Sequence, residues 1–356
     1  MSTILSFIVV IGIIVFVHEL GHYLAAKMSG VRVETFSLGF PPKMLGHKIG
    51  ETEYIIGWVP LGGYVKMSGM IDESFDESFD PNDPRGFMAQ SFWSKVFIIS
   101  AGVIMNVLLG WLLYSSLTYS EGVGRMTGTT LTLVSPDYPA AEAGLEVGDQ
   151  IVAVAGERVE DWSHMTEAVR KSPGIPVEVE WLRGDSLMRT TITPRSAREF
   201  NLRTGAVDSV GKIGVVGTFT TERVGPLAAF VHGGEQVWWV IRLNVASVAA
   251  LLSGTASVRE LTGPLGIARM SGESARSGAA SFIAFIALIS ISIAFLNILP
   301  VPMLDGGHLL FLVIESVIGR EIPEKVKTMM MKVGLAMLLL LVAVVSYHDI
   351  LRFYWR

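Results

Sequence analysis

Four stretches of this chain stay apolar for long enough to cross a bilayer as helices: Thr3–Ala26, Phe92–Leu117, Ser281–Pro300 and Met329–Tyr347. Between the first two, residues 31–84 break short apolar pieces with Gly and Pro, as in Ser37-Leu38-Gly39-Phe40-Pro41-Pro42 and in Glu53–Met67. That punctuation predicts β-hairpins, not helices. At membrane depth such backbone must be buried in protein or line a wet cavity. The segment therefore reads either as a cytosolic loop or as an edge strand to which an extended peptide could pair. Past the second span the pattern turns soluble. Runs at Thr129–Val134, Gln150–Val154, Val177–Leu182 and Arg189–Thr193 flank a helical pattern at Trp162–Lys171, predicting a small α/β domain. Residues 226–252 are apolar but interrupted by His232, Glu235, Arg242 and Asn244, with Trp238 and Trp239 suited to the headgroup level. They read as an amphipathic helix lying on the membrane surface, with a fifth span as the second choice and His232 as a surface residue.

Composition agrees with the spans. Of 356 residues 50% are hydrophobic and only 17% charged, so the chain is an integral membrane protein. A net charge of −5 is mild and argues neither for nucleic acid as a partner nor for a large steering field, and no nucleic acid is expected. Cysteine is absent, which excludes disulfides and thiolate ligands and leaves His, Asp and Glu to bind a metal. No positive n-region or small-residue cleavage site precedes the first span, so Thr3–Ala26 is expected to stay in the mature protein. The acidic unit written twice in Asp72–Asp80 reads as a solvated loop.

Inside the first span stands His18-Glu19-Leu20-Gly21-His22. Residues four apart share one face of a helix, about 5–6 Å apart at Cβ. Two imidazoles so placed can bind one zinc ion, with Glu19 on the same turn able to take a proton from a water that the ion activates. Ionisable groups in a span can instead pair with a neighbouring helix or line a wet cavity. Placing three of them in one intramembrane turn costs about 2.5–3.5 kcal/mol per charged group, which favours the metal reading. The third span runs into Asn297-Ile298-Leu299-Pro300-Val301-Pro302-Met303-Leu304-Asp305-Gly306-Gly307-His308. Pro300 and Pro302 should unwind the helix, leaving Asp305 at its broken end. Alone, Asp305-Gly306 would be an ordinary turn; beside the histidine pair, Asp305 becomes the preferred third ligand, with His308 assigned to support. In the second span Gly102, Asn106 and Gly110 form a small or polar stripe suited to close packing. Asn106 needs a hydrogen-bond partner there and is expected to face the first span. Lys and Arg concentrate between spans one and two and between spans three and four. By the positive-inside rule those loops face the cytosol, with the candidate site near the cytosolic side and the soluble domain outside.

With HELGH and the paired Asn297–Gly307 motif, the chain resembles the site-2 protease family of intramembrane zinc metalloproteases. The order of its parts is similar to the bacterial regulator-of-sigma-E protease type. Residues 139–156, Pro139-Ala140-Ala141-Glu142-Ala143-Gly144-Leu145 through Gly156, resemble the PDZ signature. The resemblance implies an α-helical integral membrane protein of four transmembrane helices with membrane-associated β-hairpins, plus an inserted α/β PDZ-like domain. The expected division is 1–120 (spans one and two with the hairpins), 121–200 (PDZ-like), 201–280 (linker with the surface helix) and 281–356 (spans three and four). It implies that His18, His22 and Asp305 bind zinc and that Glu19 is the catalytic base. Asn297, Pro300 and Pro302 would position substrate, and the Gly62-Gly63-Tyr64 region would present it as an added strand. Expected partners are single-span membrane proteins such as anti-sigma factors, remnant signal peptides, membrane lipid, and a peptide ligand of the PDZ-like domain. The expected place is the bacterial inner membrane. Several relatives carry two tandem PDZ domains and this chain carries one. The rival reading is a non-catalytic scaffold pinned by zinc, which needs four protein ligands where three are found. A metal transporter would need polar residues along several spans, and spans two and four carry too few.

Overall fold

The computed structural model describes residues 2–70, 83–200, 207–257, 259 and 261–354. The doubled acidic unit therefore lies outside the described residues. The chain forms two compact units, Met1–Leu117 with Phe230–Arg356, and Thr118–Ala229.

In the first unit, helix α1 (Thr3–Met28) starts at Ser2, whose side chain accepts from the Leu5 amide. It is apolar all round, as a bilayer helix must be. Its buried positions Ser6, Val10, Ile14, His18, His22 and Ala25 recur every three or four residues and, with Gly21 and Ala26 beside them, draw one inward stripe. The histidines thus belong to the face that meets other helices. Strands β1 (Val33–Ile49) and β2 (Thr52–Met67) form the expected hairpin, longer than the sequence pattern suggested. Both strands fold back on themselves. Phe36, Ser37 and Leu38 pair on one side with Tyr54, Ile55 and Ile56, and on the other with Val65, Tyr64 and Gly63. Among the described residues no further strand pairs with the Gly63–Met67 side, which is an edge. At the hairpin turn Arg85 and Lys27 bond Glu51 and hold its carboxyl down at about 2.

Helix α2 (Phe92–Glu121) buries Ile98, Gly102, Asn106 and Gly110, again at four-residue spacing. After the second unit, described below, the first continues. Helix α5 (Pro226–Leu252), α6 (Pro264–Arg276), α7 (Ala279–Asn297), α8 (Asp305–Ile318) and α9 (Glu324–Tyr354) complete it. Among the described residues four helices are long and apolar enough to cross a membrane: Thr3–Met28, Phe92–Glu121, Ala279–Asn297 and Lys325–Arg352. Residues 226–252 do form a helix and fall outside that set. The helix read as lying on the membrane surface is nonetheless engaged with two spans. Phe230 stacks on Trp111 of α2 with centroids 4.5 Å apart, Val240 is buried with Ile291 of α7, and Asn244 Nδ2 donates to Ser292 Oγ at 3.2 Å. Helix α6 occupies part of the segment read as linker. Asp349 of α9 caps it by accepting from the Gly266 amide at 2.9 Å.

The second unit holds β3 (Val123–Val134), α3 (Pro139–Glu142), β4 (Gln150–Val154), β5 (Glu157–Arg158) and α4 (Trp162–Arg170). These are followed by β6 (Val177–Arg183), β7 (Ser186–Ile192), β8 (Arg195–Phe200), β9 (Val207–Lys212) and β10 (Val215–Glu222). The sheet runs β10-β3-β4-β6-β7, with β5 on β4, and β8 pairs with β9. Helix α4 closes the core by burying Met165 and Val169 with Leu131, Ile151, Val179 and Trp181. This is the β-rich PDZ-like domain. Its extent differs from the expected 121–200, because β10 pairs with β3 from Val215↔Val134 to Glu222↔Val123. The strand that covers the domain's first strand comes from the presumed linker. Asp149, 1% exposed, accepts from Arg183 Nε and Nη2 and from the Glu146 amide, each at 2.8 Å. Arg183 chiefly holds its carboxyl below the usual aspartate range.

Candidate metal centre

α1 delivers His18 and His22 from its inward stripe, and the chain break after α7 delivers Asp305. Proline supplies no backbone donor, and α7 ends at Asn297, three residues before Pro300. Met303 takes a left-handed φ of 83°, a strained conformation for a residue with a side chain. The chain then turns back over the start of α8. A Cβ at Gly306 would collide with the carbonyls of Ile298 and Leu299, and one at Gly307 with that of Val301. The two glycines therefore allow the fold-back that sets Asp305 as the first residue of α8, where a carboxylate also favours the helix dipole.

The three side chains converge. His18 Nε2 lies 3.3 Å from Asp305 Oδ2, His22 Nε2 lies 3.5 Å from Asp305 Oδ1, and the two Nε2 atoms are 3.2 Å apart. Donors about 2.1 Å from a tetrahedral ion lie roughly 3.4 Å from one another, so the spacing fits one ion. The polar bookkeeping fits as well. Asp305 Oδ2 is buried and meets no hydrogen-bond donor in acceptable geometry, as an oxygen reserved for a cation should be. Among the described residues this is the one cluster of His, Asp or Glu able to hold a metal. Two imidazoles and a carboxylate are a borderline-soft set suited to zinc, and three protein donors leave a fourth position for water or substrate.

Glu19 and His308 line the same pocket, with Val65, Met67, Ile98 and Ile99 as its apolar walls. Asn297 brings Nδ2 within 3.3 Å of His18 Nε2. A Cβ on Gly63 would stand 3.0 Å from Glu19 Cγ, so the edge strand passes directly against the glutamate. Gly62 instead lies against the Phe40 ring, and Tyr64 pairs with Ser37. Pro300 and Pro302 shape the break and do not line the pocket. Two contributions were not legible as such. Gly102 makes room for the imidazoles, since its Cβ would collide with His22 Nε2 and stand 2.7 Å from His18 Cε1. The Ile98 carbonyl accepts from His22 Nδ1 at 2.9 Å. The small-residue stripe on α2 was the available signal, and it read only as close packing. A mostly apolar cavity of about 70 Å³ adjoins the pocket, sharing Met70, Ile99 and His308 and including the Lys327–Glu315 ion pair, 2.6 Å long.

The family model of peptidase family M50 matches residues 6–341. The regulator of sigma-W protease RasP of Bacillus subtilis is 27% identical, over 99% of both chains. The zinc metalloprotease RasP of Geobacillus kaustophilus is 29% identical over the same shares. A Synechocystis chain named provisionally as a zinc metalloprotease is 34% identical, covering 98% of this chain and 94% of its own. Among solved structures, the PDZ domain of an SdrC-like protein from Listeria monocytogenes is 19% identical with a TM-score of 0.21, covering 26% of this chain and 88% of its own.

Proposed function

The chain belongs to peptidase family M50, as a multi-pass membrane zinc metalloprotease homologous to RasP and carrying a PDZ-like domain; from that premise we propose that it cuts peptide bonds within or beside the transmembrane segment of single-span substrates. The observation that carries this reading is the convergence of His18 and His22 from span one with Asp305 from the break after span three, all three sharing a pocket with Glu19.

In this reading His18, His22 and Asp305 hold the zinc. When bound, zinc polarises a carbonyl and lowers the pKa of water toward 7. Glu19 takes a proton at its carboxylate and later returns it to the leaving amine, a role worth about 10²–10⁴-fold in rate. Asn297 turns an amide donor toward the reacting carbonyl oxygen. The substrate presents a further difficulty, because a helix hides its carbonyls in i to i−4 bonds. Strand addition along Gly63–Met67 gives an unwound segment replacement backbone hydrogen bonds beside Glu19. Gly62 and Tyr64 keep that strand in register, and Pro300 and Pro302 hold the break that carries Asp305.

Candidate substrates are anti-sigma-factor-like proteins and remnant signal peptides, and the naming of the Bacillus subtilis relative as a regulator of sigma-W supports the first class. The groove between α4 and β10, lined by Tyr138, Met165, Val169, Ile213 and Val215, is the place for a peptide ligand of the PDZ-like domain. The bacterial inner membrane is the location, with the site toward the cytosol. A zinc-pinned scaffold is disfavoured because the cluster offers three protein donors, not four. The test is mass spectrometry of membranes carrying wild-type chain or Glu19→Gln. Single-span fragments should accumulate uncut in the variant, and cleavage by purified Glu19→Gln at the wild-type rate would overturn the mechanism.

A further inference from the structure

A neutral imidazole carries one N–H, so a histidine that offers Nε2 to a metal must carry its proton on Nδ1 and needs an acceptor there. For His22 that acceptor is in place. Its Nδ1 lies 2.9 Å from the Ile98 carbonyl, a group that can only accept. For His18 the facing group is Asn106, fully buried on α2, whose Nδ2 stands 3.4 Å from His18 Nδ1. Drawn that way, a donor meets a donor, and the other amide atom, Oδ1, is buried without a partner. A half-turn of the amide exchanges the two atoms, which are alike in size and shape. The oxygen then meets the Nδ1 proton and the amino group leaves the donor-to-donor contact.

We infer that Asn106 is a positioning residue for His18: its amide oxygen accepts from His18 Nδ1–H and so fixes the tautomer that aims Nε2 at Asp305 and His22. The arrangement follows from spacing. His18 and His22 are four residues apart on α1, and Ile98, Gly102 and Asn106 are four apart on the facing stripe of α2. The contacts run in opposite order, Ile98 to His22 and Asn106 to His18, with Gly102 between them giving both rings room. Asn106 is itself held at this level, because Ser290 Oγ of α7, fully buried, donates to its backbone carbonyl at 2.8 Å. His18 Nε2 faces Asp305, His22 and Asn297, so among these contacts Asn106 alone addresses the other nitrogen.

The inference rests on the metal reading of the site, and its test avoids turnover. Full-length chain in detergent micelles, in the Glu19→Gln background, is titrated with zinc against a chromophoric chelator. Asn106→Leu removes donor and acceptor at similar volume, and zinc should bind about 10–100-fold more weakly. Asn106→Asp keeps an acceptor and cannot donate, and its affinity should stay within about threefold of Asn106. Leu binding as tightly as Asn would overturn the inference, as would Asp weakened as far as Leu. If the Leu chain does not fold, Asp decides alone, and a loss of about tenfold or more there contradicts the inference. Loss of proteolysis as a function would leave these affinities unchanged, so the two readings fail separately.

Discussion

Asp149 of the PDZ-like domain and Asp305 of the membrane unit are both acids withdrawn from water, and they differ in what meets them. Asp149 accepts three hydrogen bonds, two from Arg183 and one from the Glu146 amide. Asp305 faces two imidazole nitrogens, and its Oδ2 remains without a donor in acceptable geometry. A carboxylate fully met by its own chain has its energy settled within the fold, whereas one left short is set up for something that the fold does not supply. The contrast separates a structural acid from a working one better than burial does, since Asp149 is the more deeply buried.

If that contrast is right, the two acids should fail in opposite ways. Asp305→Ala should abolish zinc retention and cleavage together, with zinc affinity falling further than the roughly 10–100-fold that losing an outer partner costs, while the apo chain melts no lower. Metal analysis beside calorimetry would show this. Glu19→Gln should lower turnover of a single-span reporter by about 10²–10⁴-fold and leave bound zinc unchanged. Gly102→Ala should act between these limits. Its methyl group presses on both imidazoles, so zinc should bind about tenfold more weakly, as measured by chelator competition.

Arg183→Ala should do the reverse, costing about 1–3 kcal/mol in the melting of the PDZ-like domain because a buried carboxylate loses its partner, with zinc binding untouched. The smallest effect is in pH. Arg183 lowers the folded-state pKa of Asp149, so this pair stabilises above the unfolded aspartate value of about 3.9 and the contribution fades as pH falls through the lower folded value. In Arg183→Ala the acid-side loss of stability attributable to this pair should disappear from a melting curve taken against pH.

The parts of the molecule that obey a period could be read in advance. Four spans announce themselves by length, and HExxH places both imidazoles on one face whatever surrounds them. Strands β3, β4, β6 and β7 fell on alternating or apolar runs bounded by turns. Strand β10 was missed although Val215–Glu222 is rich in β-branched residues. The PDZ signature ends far upstream, and only pairing with β3 brings the segment into the domain. Part of the site's surroundings escaped in the same manner. Asp305 could be named because prolines and glycines mark a break, but that Gly102 makes room for the imidazoles depends on how closely α2 meets α1. Long-range approach of this kind leaves no local pattern beyond a stripe of small residues. Helix α5 shows a further limit, since its interrupted apolar pattern did not disclose contacts with α2 and α7.

The proposed function stands on two imidazoles from α1 and the carboxylate that opens α8 surrounding one ion with a position left open. The most direct measurement is the zinc K-edge X-ray absorption spectrum of purified Glu19→Gln chain, compared with Asp305→Ala in the same background. The expected result is one zinc per chain, with two imidazole nitrogens, one carboxylate oxygen and an exchangeable oxygen, and loss of that signal in Asp305→Ala. Four protein donors, or an unaltered spectrum without the carboxylate, would contradict it.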